Sequence, residues 1–354
     1  MSNFIVIGSS NDESAARQAV FREIVDGSVA NAHYLGLDAL FRGNRLLYRV
    51  LTNRKTQRFT RKKMILSRTL GLVLDLVNNF LYKREQSVNI HKLTPYLSET
   101  DENYLIFCPG TRIDRVTDAT LRALRDKSPR AHLIFYLVDS IERTAFMNSA
   151  EVGDILNYIR NYDAAYTYDR SDAELYKEYV RFIEIPLWRS AAPIPPIPAH
   201  DLYFCGHAKR RHELLLAIYH RLQEAGLRCH YRVVCGAKEI QSLLGITLSD
   251  WTPYHVTAEE LIDANCILEI LAIHNRESTL RYKEAVMYNK KFLTTNPAIT
   301  NLPYYDLRWM RVFHTAEDID LEWLHAVEDV DYGYRGDFSA ETFLKRVEEL
   351  TSGK

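Results

Sequence analysis

The segment running from His274 to Pro297, HNRESTLRYKEAVMYNKKFLTTNP, holds two glutamates, Glu277 and Glu284, seven positions apart. Its middle reads as a helix over 279–289 and its end as a strand that stops at Asn-Pro. Glu284 falls one to two turns into that helix. A carboxylate placed there can accept two hydroxyl protons at once, which suits the 1,2-diol of a ribose. Ser278 or Thr279 can cap the helix, leaving backbone N–H groups at its start for phosphate or sugar oxygens. The competing reading makes Glu284 a solvated helix residue paired with Arg281 or Lys291.

A second stretch, Tyr203-Phe-Cys-Gly-His-Ala-Lys-Arg-Arg-His-Glu-Leu-Leu215, reads as a strand, a glycine, a basic turn and a helix. Gly206 lets the backbone approach a ligand closely, and Lys209, Arg210 and Arg211 supply charge for a diphosphate. Three cations at a helix N-terminus oppose the helix dipole, so an anionic guest accounts for them better than a solvated surface does. Neither GxGxxG nor GxxxxGKS occurs, which argues against dinucleotide and P-loop sites.

These residues need elements to hold them. Apolar runs alternate with helical patterns almost throughout, the mark of an α/β architecture with mainly parallel sheets. In the first half strands are expected at 4–7, 33–37, 104–108, 132–138, 164–168 and 182–185, with helices at 12–25, 118–127 and 171–180. A long helical region, about 38–92, interrupts them. Residues 191–200 contain four prolines within six positions, so this segment should be extended and stiff. The alternation then restarts, with strands at 202–205, 229–235, 266–271, 291–295 and 311–314. A short turn or strand is expected near 251–255. Helices are expected at 211–225, 237–244, 258–264 and 279–289, with an amphipathic helix over 340–350. The expected organisation is two Rossmann-like domains facing across a cleft: residues 1–190, a linker at 191–200, and residues 201–354 with the final helix.

The chain has 354 residues, 47% of them hydrophobic and 26% charged, enough apolar surface for two cores. Met1–Ser10 lacks a basic start and reads as a strand, so no signal peptide is expected. Leu70–Leu81 is too short to span a bilayer. Five cysteines, none in a CxxC pair, read as small buried hydrophobes rather than disulfides or metal ligands. The net charge of −1 conceals a block from Arg42 to Arg68 with ten basic residues and no acidic one. Interleaved with Leu, Phe, Met and Ile, it has the composition of a basic amphipathic surface helix. Arg54, Lys55, Arg58, Arg61, Lys62 and Lys63 would meet an anionic membrane. A solvated helix face is the alternative. Nucleic acid is a poor partner for a chain with no RRM, KH, helix-turn-helix or zinc pattern.

The segment TLRYKEAVMYNKKFLTTNP resembles the donor-domain signature of GT-B glycosyltransferases, most closely those of bacterial lipopolysaccharide and capsule biosynthesis. FCGHAKRRHELL resembles their glycine-plus-basic loop, and LVDSIERT and AAYTYDRSDAELY resemble their acceptor-domain strand ends. The likeness spans roughly residues 130–315. It implies that Glu284 binds the nucleotide ribose, that Lys209 and Arg211 meet the diphosphate, and that Ser278 and Thr279 lie near phosphate or sugar. Arg276 occupies the place of the family's second glutamate, and Asn289 that of a small glycine. It also implies a nucleotide-sugar donor, a glycan or lipid-linked acceptor at the cytosolic face of the membrane, and no cofactor. A base near the acceptor hydroxyl would come from the first domain: Asp12 or Glu13 after the first strand, or Asp139 after the strand at 132–138, with Asp169 a weaker choice. Asp12 and Asp139 could equally cap helices, and Glu13 could offset a helix dipole. Asp318-Ile-Asp320 and Asp329-Val-Asp331 mimic a metal-binding DxD but read as solvated charge, and no divalent ion is expected. A non-catalytic scaffold protein of polysaccharide assembly is the alternative reading of the whole chain.

Overall fold

A computed structural model describes residues 2–8, 16–40, 90–108, 116–208, 211–234, 246–248, 252–271 and 279–353. The basic block, with Arg54, Lys55, Arg58, Arg61, Lys62 and Lys63, lies outside the described residues. So do Asp12, Glu13, Lys209, Arg210, Arg276 and Ser278.

Two six-stranded sheets, every pairing parallel, organise the chain. The first contains β1 (Ser2–Gly8), β2 (Ala32–Gly36), β3 (Glu102–Phe107), β4 (Ala131–Leu137), β5 (Ala164–Thr167) and β6 (Arg181–Phe182), in the order β2-β1-β3-β4-β5-β6. The second contains β7 (His200–His207), β8 (Cys229–Val234), β9 (Ile246–Leu248), β10 (Ala264–Glu269), β11 (Lys291–Thr294) and β12 (Met310–Val312), in the order β12-β11-β10-β7-β8-β9. Counted from β7, that second order is 3-2-1-4-5-6, the arrangement of nucleotide-binding doubly wound sheets. Parallel strands covered on both faces must be apolar along their whole length, and β1 and β10 are buried almost end to end.

The helices that matter below are α1 (Asp118–Lys127), α2 (Ile141–Asn148), α3 (Val152–Ile159), α4 (Arg170–Leu175), α5 (His212–Glu224), α6 (Tyr254–Ile262), α7 (Leu280–Met287), α8 (Leu321–His325) and α9 (Ala340–Ser352). Side-chain caps start several of them: Thr117 accepts from Thr120 N, Ser140 from Arg143 N and Ser339 from Thr342 N. Helix α2 stands where a helix behind Asp139 was expected, whereas the short helix α3 was not anticipated; each is eight residues long. The helix expected over 12–25 is instead a wide turn at Ala16–Val20 and a single turn at Arg22–Val25, broken at Phe21. Phe21 is fully buried against Phe343, ring centroids 5.7 Å apart, so tertiary packing overrides the local period. Near 251–255 the expected turn or strand gives way to α6, which starts behind Pro253, a residue suited to a helix entrance.

The final helix departs from its expected domain. Grouped above with the second half, α9 lays Ala340, Phe343, Leu344 and Val347 on the first sheet's core, among Phe4, Val6, Tyr136 and Tyr166. Ser2 Oγ donates to Glu348 at 2.7 Å, and Tyr166 Oη and Thr351 Oγ1 lie 2.8 Å apart. Burying a side chain such as Phe343 stabilises by about 1.5–3 kcal/mol. The chain thus crosses back after the second sheet is complete. Residues 191–199 carry no helix or strand, as their prolines require. No described helix is long and apolar enough to cross a membrane.

Candidate active site

In an open parallel sheet, ligands gather where neighbouring strands send their connections to opposite faces, beyond the strands' carboxyl ends. In the second sheet that point lies between β7 and β10, and both stretches singled out in the sequence lead away from it. Gly206 and His207 end β7, while Glu269 ends β10 and Thr279, the cap of α7, follows ten positions later.

Glu269 holds this corner together, and sequence reasoning missed it. Its buried carboxylate accepts from Thr279 N at 2.6 Å, Thr279 Oγ1 at 2.8 Å and Thr294 Oγ1 at 2.7 Å. Three donors at such distances offset the cost of burying the charge and tie the start of α7 to the ends of β10 and β11. The available signal was a lone Glu inside the otherwise apolar strand ANCILE; a buried carboxylate at a strand's carboxyl end is there for a partner. Thr279 also caps α7, accepting from Arg281 N at 3.3 Å, which agrees with one of the two expected caps.

Arg211 reaches across the same gap. It immediately precedes α5, yet its Nη1 donates to Ile270 O at 2.6 Å and its guanidinium stands 5.9 Å over Phe204. Burial makes its charge less favourable than usual, and Glu269 pulls the other way. One guanidinium nitrogen expected for a diphosphate is therefore occupied by the protein. At Gly206 an added Cβ would come within 3.3 Å of the Phe204 ring, so a side chain would crowd the platform beneath Arg211.

Glu284 is neither solvated nor open. Its side chain has no exposed surface, and Oε2 accepts from Arg281 Nη1 at 2.5 Å. Of the two partners considered for it, Arg281 is the one found. Burial outweighs Arg281 and lifts the carboxyl above the ordinary range. Burial opposes the Arg281 charge more than any single neighbour supports it, but Glu284, Cys205, Tyr203 and Tyr254 together raise the guanidinium. Glu284 Oε1 has no hydrogen-bond partner, and neither has the buried hydroxyl of Tyr254. Burial, then the Glu284 charge, raises the Tyr254 phenol, and a weak contact between phenol and carboxyl adds to this while lowering the carboxyl, although it falls outside strict hydrogen-bond geometry. A guest hydroxyl or a water that reached both oxygens would satisfy them better than they satisfy each other.

Asn289, just past α7, has φ 51°, in the left-handed region. That explains how asparagine can replace glycine there: its short amide is among the few side chains tolerated at such angles.

On the first sheet, Asp139 lies beyond the carboxyl end of β4. Ser140, not Asp139, caps α2, and Asp139 sits 3.2 Å from Arg143. Burial raises its carboxyl despite Arg143. Asp169 is a structural residue: it is buried and caps α4, accepting from Asp172 N at 3.1 Å. The two DxD-like pairs resolve similarly. Asp318 accepts from His314 N and Thr315 N, Asp320 caps α8 and meets Arg311, and Asp331 accepts from Gly333 N. Among the described residues no group of three or more His, Cys, Asp or Glu side chains could hold a metal ion. The four described cysteines are free thiols.

The two halves meet through these carboxyl edges. Tyr254 N donates to Gln18 Oε1 at 3.0 Å, and within the first half Trp188 N donates to Ala19 O at 2.6 Å. The turn Ala16–Val20 thereby docks on α6 and on the segment just before the linker.

No family model matches the sequence, and no curated protein does. Solved structures with related chain paths include TarM, at 10% identity and TM-score 0.48 over 74% of this chain. The chain spans 57% of TarM's length. The UDP-GlcNAc 2-epimerase of Methanocaldococcus jannaschii, in complex with UDP-GlcNAc and UDP, is 11% identical with TM-score 0.45 over all of both chains. An alpha-glucosyltransferase in complex with UDP and DNA is 12% identical with TM-score 0.44, over 99% of this chain and 91% of its own. These likenesses are loose, and any assignment of function rests on the chain's own residues.

Proposed function

We propose that this chain is a GT-B glycosyltransferase, moving a sugar from a nucleotide-sugar donor to a lipid-linked or lipopolysaccharide-type glycan at the cytosolic face of the membrane. The observation that carries the proposal is the unpartnered Oε1 of buried Glu284, on the helix that leaves the switch point of a 3-2-1-4-5-6 sheet. A carboxylate with one bare oxygen accepts a ribose hydroxyl in exchange for a desolvation cost already incurred. To admit it, Arg281 or Tyr254 must swing aside. The start of α7 and the cations Lys209 and Arg210 would face the diphosphate, and their fixed charge would stabilise it as the leaving group without a divalent ion. Asp139, raised toward the range useful to a general base, would take the acceptor proton; Asp12 and Glu13 are the alternatives. Arg54, Lys55, Arg58, Arg61, Lys62 and Lys63 would dock the chain on anionic headgroups.

The test is a thermal-shift panel of UDP, GDP, CMP, ADP and their sugars. A ligand at a hundredfold over its Kd stabilises the fold by about 2.7 kcal/mol. One nucleotide should stand out, and Glu284→Ala should abolish its shift; full affinity and turnover in that variant would sink the assignment.

A second reading has a specific observation behind it. Glu284 is closed off by Arg281, and Arg211 already binds Ile270 O. Both fit a scaffold protein of polysaccharide assembly that has lost its chemistry. Slow release of free sugar from the donor separates the two, since a scaffold releases none.

A further inference from the structure

Helix α7 points adjacent residues in different directions. Glu284 turns inward toward Tyr254, whereas Lys283 turns toward the first domain. Lys283 is 4% exposed, and its ammonium is held by the segment that leaves β6. Nζ donates to Ile185 O at 2.8 Å and lies 2.6 Å from Glu184 Oε1. The other Glu184 oxygen takes Arg170 at 3.3 Å, and the Arg170 guanidinium rests 3.9 Å over the Phe182 ring. Phe338 closes over the ammonium at 5.4 Å. Arg170 opens α4 beyond β5, and Glu184 follows β6, so both lie on the carboxyl edge of the first sheet.

Burying an ion pair costs several kcal/mol in desolvation, and apolar residues of equal volume often stabilise such a position more. What a buried pair supplies is direction, because ammonium, carboxylate and carbonyl can meet in one register only. Methionine or leucine at 283 would fill the space but permit sliding. Since Lys283 and Glu284 are consecutive, the register of one sets the position of the other.

We propose that Lys283, anchored by Glu184, is a positioning residue that seats α7, and Glu284 with it, against the carboxyl edge of the first sheet. For its activity arm this rests on the transfer reading above; its structural arm does not.

The experiment compares the full chain with Lys283→Met, Glu184→Gln and the double variant. Hydrogen–deuterium exchange should speed up about tenfold in 280–287 and 183–187 of Lys283→Met, while β7 and β10 keep wild-type protection. With donor and acceptor supplied, donor KM should rise about tenfold while kcat stays within about threefold, because Glu284, the ribose acceptor, loses its register. The double variant should be no worse than the worse single one, as for two residues of one contact. Unchanged exchange in both segments, or faster exchange spread evenly over both sheets, overturns the proposal. A kcat loss with donor KM unchanged overturns it too. If the wild-type chain binds no nucleotide, the transfer reading fails and the exchange arm still decides this one.

Discussion

The carboxyl edges of the two sheets are built from different chemistry. At the β7–β10 switch point, Glu269, Arg211, Thr279 and Thr294 interlock through buried, charge-assisted hydrogen bonds. At the corresponding gap of the first sheet, between β1 and β3, the described side chains are mostly apolar or aromatic, Ile7, Phe107, Cys108 and Tyr34, with Arg17 standing 5.7 Å over the Tyr34 ring. The Cys108 thiol and the Tyr34 phenol are both pushed up by burial, so they stay neutral. One edge gathers its charged groups at the gap itself, and the other keeps an aromatic gap with its charged groups set around it: Arg17 over Tyr34, Asp139 with Arg143, and Arg170 with Glu184.

The comparison can be broken most severely at its two carboxylates. Asp139→Asn should lower turnover by about 10²–10⁴ while leaving nucleotide affinity intact, if the first edge supplies the base; steady-state kinetics beside calorimetry checks both halves of that statement. Asp169→Asn, at a capping position, should lower the melting temperature instead. Glu269→Ala should cost about 3–5 kcal/mol, because Arg211 loses its counter-charge and two threonine hydroxyls lose their acceptor. Urea unfolding measures that cost, and an m-value equal to wild type would confirm a pure stability effect.

Smaller effects sharpen the picture. Asn289→Gly should be neutral or slightly stabilising, whereas Asn289→Ala should cost about 1 kcal/mol, because alanine resists a left-handed φ. Lys290 is buried, and burial lowers its ammonium to about 8, with Asp263 pulling the other way. Above that value the native chain holds fewer protons than the unfolded one, so this group makes stability rise from about pH 8 toward 10.5. Lys290→Met should be more stable than wild type at pH 7, and the gap should shrink as pH climbs through that window. Thermal melts at pH 7, 8, 9 and 10 on both chains read the difference directly.

Much of the second half was legible in the sequence because its elements are locally determined. LRYKEAVM behind Thr279 gives a capped helix at its expected place, and the Lys291 strand begins where predicted. The proline run marks the break between the two sheets because proline fixes φ and cannot donate to a ladder. The direction of a side chain is another matter. Glu284 was placed on the right helix, but whether it faces solvent or core depends on how α7 sits against Tyr254 and the linker. Glu269 passed unnoticed because its partners, Thr279 and Thr294, lie 10 and 25 positions away. The break at Phe21 was hidden for the same reason, since Phe21 packs on Phe343.

The sequence by itself determined the α/β alternation, the mainly parallel strands and the linker. These follow from hydrophobic period, proline and capping chemistry, all set within a few residues. Only the tertiary structure decided that α9 returns to the first sheet, that Arg211 spends a nitrogen on Ile270 O, and that Lys283 joins the two halves. Those contacts pair residues dozens to hundreds of positions apart, and which partners meet is fixed by the packing of whole sheets and helices, not by local propensity.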